Sequence, residues 1–420
     1  MQKIFEFYIN SKDFNGIPFH SLISQFDENE LRKSILELIN EEKITITTTN
    51  NPHIKLFPEE SKQKQIEKFE NYDGMICIYP SPSYLKKNMD SSKYVNEPFK
   101  RDLLLGKAQL EPVYFELPVL DIYFNDPRYL ILNSDYSGSI SVKDVYDSVP
   151  EKDKISLQTF GLGYNENGER VIIVFLRYLT DLSPEHQQIW KTYRIEGKCA
   201  MDPDYFINNI LGDFTDGVSI FDAFCEELFQ INEMCKLIGK KPLFKQDFKN
   251  KRPDEFKIFL KPTLKNYNDF VLVLDKMLSE NINKDFFRGE MELTEEILRK
   301  DGTKEVRHKG TIRLFEEWLK SKFKTDEEFF KTIFDPLKQI RKERQDPAHR
   351  IDENVYDKNY HEKQDDLLNL AYTAIRHIRL ALSNHPNLKD YKVPEWLYDG
   401  KVRRYVKDEF KSFDDFITKN

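Results

Sequence analysis

Apolar residues recur along this chain at changing spacings, and the changes divide it into segments. Ile4, Phe7 and Tyr8 make a first short helical face. A second helix is predicted over Phe19 to Phe26 and a third from Asp27 through Ile39. In the third, Leu31, Ile35, Leu38 and Ile39 recur at helical spacing, and Asp27 with Glu30 has the form of a capping box. Ile44 to Thr49 then alternates, Asn50-Asn51-Pro52 turns the chain, and His53 to Phe57 is expected to return as a strand. Beyond residue 66 short strand-like runs take over: Gly74–Tyr79, Val113–Leu117 and Tyr129–Leu132. Lys154–Phe160 and Arg170–Leu179 pair best, across Asn165-Glu-Asn-Gly168, because Asn and Gly both tolerate positive φ. Ser183-Pro184-Glu185 starts a helix with Ser as cap and Pro in the first turn.

Helical spacing returns at Phe221, Phe224, Leu228 and Ile231. Pro242, Pro253 and Pro262 then interrupt it, so a boundary is expected at about 240–262. From residue 263 four helical faces follow: Phe270–Leu278, Ile312–Phe323, Glu327 to Gln345 and His361–Ser383. A polar excursion over Asn281–Lys309 separates the first two. Pro336 lies inside the third pattern and is expected to kink or split it. The predicted architecture is α+β: a winged-helix-like unit at 1–65, a β-rich sensing or regulatory domain at 66–195 and a helical connector at 196–262. A four-helix bundle at 263–390 and a charged tail at 391–420 complete it.

Charge changes the picture locally. The chain has 420 residues and a net charge of -8, which argues against a continuous nucleic-acid-coating surface. Residues 1–60 hold six Lys/Arg against ten Asp/Glu, a balance of -4. The third helix offers mainly Arg32 and Lys33, so a structural or protein-contact role suits this unit better than DNA binding. Residues 331–350 reverse the sign, with six Lys/Arg against three Asp/Glu, or +3.

Candidate chemistry is sparse elsewhere. Gly163 to Gly168 has phosphate-loop glycine spacing, but Glu169-Arg170 stands where Lys and Ser/Thr would be needed. Glu185-His186 lacks the second histidine of a zincin helix, and Glu196-Gly-Lys198 is too short a match to carry a metal nuclease. The four cysteines, Cys77, Cys199, Cys225 and Cys235, form no CxxC, and no histidine pair has ligand spacing. No metal and no cofactor are therefore expected. Without an apolar run of membrane length or a signal-like N-terminus, the expectation is a cytoplasmic protein with no membrane partner.

The basic segment differs. Arg344 and His349 are five residues apart, and Pro347 turns the chain between them, so guanidinium and imidazole can converge. An arginine binds phosphate through its planar fork, and a histidine moves protons near neutral pH. RNA supplies its own nucleophile, the 2′-OH. Arg344-x4-His349, at the end of a bundle helix and followed by another long helix, resembles the HEPN ribonucleases over about residues 263–385.

The resemblance implies a metal-independent endoribonuclease in a toxin or anti-phage defence setting. It also implies a homodimer that joins two Arg–His motifs, an RNA substrate and an accessory or antitoxin protein. Arg344 would hold the scissile phosphate and His349 would act as acid/base. The family often has Asn, Asp or His directly after the arginine; Gln345 stands there in this chain. Arg341, Lys342, Arg376 and Arg379 are expected as supporting or RNA-binding residues. The alternative is a non-catalytic nucleic-acid-binding regulator or adaptor that uses the winged-helix-like unit and the bundle.

Overall fold

A computed structural model of the chain describes all residues except 49–50, 56–58, 147, 213–217, 300–302, 346–352, 399–401 and 404–420. The fold is mixed α+β, with several sheets and a helical C-terminal region. The chain forms two compact units, one built from Met1–Asp213 and the other from Phe214–Glu409. No helix among the described residues is long and apolar enough to cross a membrane.

The first unit begins with α1 (Gln2–Asn10), β1 (Ile17–Pro18), α2 (Phe19–Ile23), α3 (Glu28–Asn40) and β2 (Ile44–Thr47). Then come α4 (Lys62–Asn71) and β3 (Cys77–Pro80). Asp27 caps α3 by accepting the backbone N–H groups of Asn29 at 3.0 Å and Glu30 at 3.1 Å. Ile35 and Ile39, one turn apart, bury that helix against Ile4, Phe19, Ile46 and Phe69. The three strands pair antiparallel in the order β1-β3-β2. Gly16 permits this packing, because a Cβ there would lie 2.5 Å from the ring of Tyr79 on β3.

One expectation is overturned here. The partner of β2 is β3, with Ile46 opposite Ile78, and not a strand at His53–Phe57. Residues 51–54 turn, and residues 56–58 lie outside the described part. The reason is polar. Lys55 is buried, its ammonium donates to the Gly106 carbonyl at 2.6 Å, and its backbone N–H goes to the Gln109 side chain at 2.8 Å. The apolar β3 completes the sheet, and the Lys55 segment serves another contact.

The unit continues through α5 (Pro82–Asn88), α6 (Pro98–Leu104), β4 (Pro112–Glu116), α7 (Asp121–Asn125), β5 (Tyr129–Asn133) and β6 (Ser137–Val142). It closes with β7 (Ser156–Asn165), β8 (Arg170–Phe175), α8 (Leu176–Thr180), α9 (Pro184–Thr192), β9 (Cys199–Met201) and α10 (Pro203–Phe206). The strands form an antiparallel sheet in the order β4-β8-β7-β6-β5, with β9 also on β7. β7 and β8 pair as a hairpin, with Tyr164 opposite Arg170. The Asn165 side chain accepts the N–H groups of Asn167 and Glu169 at 3.0 and 2.9 Å, while Gly168 takes φ 75°.

The second unit starts with β10 (Val218–Ser219) and α11 (Ile220–Leu237), then α12 (Leu264–Met277). A hairpin of β11 (Thr294–Leu298) and β12 (Lys304–His308) fills the excursion. The helices α13 (Thr311–Lys322), α14 (Glu327–Gln345) and α15 (Asn359–Ser383) follow, then α16 (Glu395–Tyr398) and β13 (Val402–Arg403). One core joins Phe224, Leu228 and Ile231 of α11 to Leu274, Trp318, Leu337, Ala371 and Ile378. Thus α11, expected within a connector, packs in the C-terminal core. Leu397 and Val402 join it as well. Pro336 is buried inside α14, and the helix runs through it unbroken.

Candidate functional site

The site is built from α12 and α14. Asp326 accepts the Phe329 N–H at 2.9 Å at the start of α14. Phe330, Ile333, Phe334, Leu337 and Ile340 then make its buried stripe. Arg341 and Arg344 continue that side by one more turn, three residues apart and therefore neighbours. Lys342 and Gln345 lie on the exposed side. On α12 the stripe Tyr267, Phe270, Val271 and Leu274 is followed by Asp275, which is 0 % exposed. The chain then turns at Leu278 and places Glu280 beyond the helix end.

These four residues form one ion-pair cluster. Arg341 Nη1 donates to Asp275 Oδ2 at 2.7 Å and lies 3.5 Å from Glu280 Oε1. Arg344 Nη2 lies 3.2 Å from the same Glu280 oxygen, and its Nε is 3.9 Å from Asp275 Oδ2. The side chains grade from interior to solvent: Asp275 at 0 %, Arg344 at 31 %, Arg341 at 35 % and Glu280 at 38 % exposed. A buried carboxylate is costly unless compensated, so Asp275 fixes where the Arg341 guanidinium sits, and Glu280 is the nearer partner of Arg344. Its Oδ1 has no hydrogen-bond partner among the described residues. Glu280 is held by its backbone, with its N–H on the Asp275 carbonyl at 3.2 Å and its carbonyl on Lys245 Nζ at 2.5 Å.

The same helix end is tied down on its other side. The Tyr267 hydroxyl donates to Glu343, whose second oxygen accepts Gln339 Nε2 at 2.9 Å. Burial and the anionic acceptor push the Tyr267 hydroxyl well above the usual tyrosine range. Its ring stacks on Tyr360 at 5.3 Å. Residues 355–357 lie against the start of α12, where Leu264 N–H bonds the Val355 carbonyl and Asp357 N–H the Pro262 carbonyl, both at 2.9 Å. Arg344 is thus a positioned, partly solvent-facing cation, which is what binding an anion at a defined point requires.

His349 lies outside the described residues. The remaining basic candidates do not gather at this site. Arg379 is 2 % exposed and pairs with the buried Glu227, its Nη2 3.1 Å from Glu227 Oε1. It is an internal residue of the α11–α15 packing and not an RNA contact. Burial holds the Glu227 carboxyl above its usual range despite that arginine. Arg376 belongs to the same region, because its neighbour His377 lies 6.2 Å, ring to ring, from Phe329 at the start of α14. Phe329 and Arg344 are fifteen residues apart on one helix, or about 22 Å at 1.5 Å per residue. Arg376 and Arg344 therefore stand at opposite ends of α14.

Asp275 and Glu280 were not foreseen from sequence. The available signal was a carboxylate in the middle of the apolar stripe Val271, Leu274, Leu278, a position that demands a cationic partner. Among the described residues no group of three or more His, Cys, Asp or Glu could hold a metal ion. All four cysteines are buried, and burial pushes the thiols of Cys77, Cys199 and Cys235 up to about 11. His186 is a core residue, its Nδ1 2.8 Å from the Tyr123 hydroxyl, and burial lowers its pKa. Set against known protein families, curated proteins and solved structures, the chain matches none of them.

Proposed function

We propose that the C-terminal unit is a metal-independent endoribonuclease of the HEPN type, with Arg344 binding the scissile phosphate and His349 transferring protons. The observation that carries this reading is Arg344 itself, a guanidinium part-open to solvent at the end of α14, paired with Glu280 at 3.2 Å and 3.9 Å from the fully buried Asp275. In the reaction the 2′-OH of the substrate attacks the adjacent phosphorus and the 5′-oxygen leaves. Arg344 stabilises the charge that develops on the phosphate oxygens. His349 takes or returns the proton near neutral pH. Lys342 and Gln345 are exposed on the same last turn, and in this reading they contact the RNA backbone. The protein acts as a cytoplasmic homodimer in a toxin or anti-phage setting. The first unit regulates it, with an accessory protein as the natural ligand of that unit.

The test is the chemistry of the cut. RNA incubated with the protein in EDTA is expected to yield 2′,3′-cyclic phosphate and 5′-hydroxyl ends. Ends bearing 5′-phosphate, or cleavage abolished by EDTA, would refute the proposal.

A second reading, a non-catalytic regulator, draws on the strand order β1-β3-β2 following α1, α2 and α3. This order resembles a winged helix with α4 inserted before the last strand. Its third helix exposes Glu30 and Glu37 beside Lys33, which favours a protein partner over DNA. RNA left intact, with retention of a protein partner by residues of α3, would favour this reading.

A further inference from the structure

Glu280 occupies the point where two guanidiniums converge. One oxygen, Oε1, lies 3.2 Å from Arg344 Nη2 and 3.5 Å from Arg341 Nη1. An anionic oxygen shared by two arginines is the arrangement a phosphate oxygen adopts at such a pair. The other carboxylate has a different character. Asp275 is fully enclosed and cannot leave without stranding a buried charge, whereas Glu280 is more than a third exposed.

Glu280 also has somewhere to go. It borders an open groove of about 710 Å³ that is lined by Lys245 and Lys276 and by the carboxylates Glu255 and Asp269. A carboxylate that swings away from the arginines enters this open groove, where Lys245 and Lys276 offset the charge of Glu255 and Asp269. Its backbone stays pinned by Asp275 and Lys245 during that swing, so only side-chain torsions change.

We propose that Glu280 is a built-in phosphate surrogate that occludes the Arg341–Arg344 pair, and that RNA binds by displacing it into the adjacent groove. Arg341 is then a second phosphate ligand, and Asp275 the positioning residue that holds its guanidinium in either state. The proposal rests on reading Arg344 as a phosphate ligand, but not on the chain cutting RNA. Charge balances without a co-reactant: one carboxylate leaves two guanidiniums and one phosphate monoanion replaces it.

The experiment uses the full chain and a fluorescein-labelled 2′-O-methyl oligoribonucleotide, which cannot be cleaved because the nucleophile is blocked. Binding is read by anisotropy across a salt series for wild type, Glu280→Gln, Glu280→Ala and Glu280→Gln combined with Arg344→Ala. Removing the competing carboxylate is expected to tighten binding about fivefold, the worth of one part-exposed ion pair. The slope of log affinity against log salt is expected to steepen by roughly 0.7 to 1.4, the weight of one or two added phosphate contacts on a single strand. Arg344→Ala is expected to cancel both gains. If Glu280→Gln fails to fold, Glu280→Ala decides.

Unchanged or weaker binding in the folded Glu280 variants, or no probe binding by any variant, overturns the proposal. Tighter, Arg344-dependent binding by a chain that cuts no RNA would leave the gate standing and remove the ribonuclease reading. Cleavage by wild type with no gain in the variants would do the reverse.

Discussion

Two ion pairs in the C-terminal unit look alike in sequence and differ in environment. Arg379–Glu227 is sealed inside the helix packing, so Arg379→Ala takes the hydrogen-bonded cation from a carboxylate that water does not reach. The expected cost is about 3 to 5 kcal/mol, measured by urea unfolding. It should also depend on pH in a known direction. The folded-state pKa of Glu227 is raised by burial, so the folded chain holds its proton at a pH where the unfolded chain has lost it. Stability from this group is therefore present at low pH and lost as pH rises from the ordinary carboxylate range toward the raised value. The difference in urea midpoint between wild type and Arg379→Ala should widen as pH rises through that window; a difference that narrows contradicts the assignment. Asp275 faces arginines that water can still reach, so Asp275→Ala is expected to cost less, about 2 kcal/mol, while disturbing Arg344. The spacing of Arg341 and Arg344 was readable in the sequence. Their partners were not, because Asp275 and Glu280 approach from sixty or more residues away and no local pattern encodes that meeting.

Among elements, what is local in the chain was legible and what depends on distant partners was not. The β7–β8 hairpin follows from Asn165 and Gly168, whose turn chemistry is complete within five residues. The pairing of β2 with β3 spans an inserted helix, and the buried Lys55 segment carried an apolar pattern that resembled a returning strand. Pro336 breaks a rule of isolated helices, yet α14 continues because tertiary packing buries that proline against the core. The close approach of β1 and β3 gives a direct check. Gly16→Ala would place a methyl group 2.5 Å from the Tyr79 ring. It is expected to destabilise the first unit by about 1 to 3 kcal/mol in chemical denaturation, through overpacking. A neutral effect would contradict close packing of the Tyr79 ring on Gly16.

At the scale of the molecule, two units each close their own apolar core, and calorimetry should see both. The expected result is a measured unfolding enthalpy that exceeds the van't Hoff value, the mark of more than one transition; equality would show one cooperative block. The net charge of -8 conceals the feature that matters for function. The acidic balance of residues 1–60 belongs to the first unit and the basic stretch 331–350 to the second, which is why the proposed RNA contact is assigned to the second. The central claim is that this stretch cuts RNA through Arg344 and His349. Its most direct test is the single-turnover cleavage rate of one RNA, in EDTA, by wild type and by folded Arg344→Ala and His349→Ala. Each substitution is expected to slow cleavage by roughly 10²- to 10⁴-fold, the usual weight of a charge stabiliser or proton-transfer group. Rates in both variants equal to wild type would contradict the account.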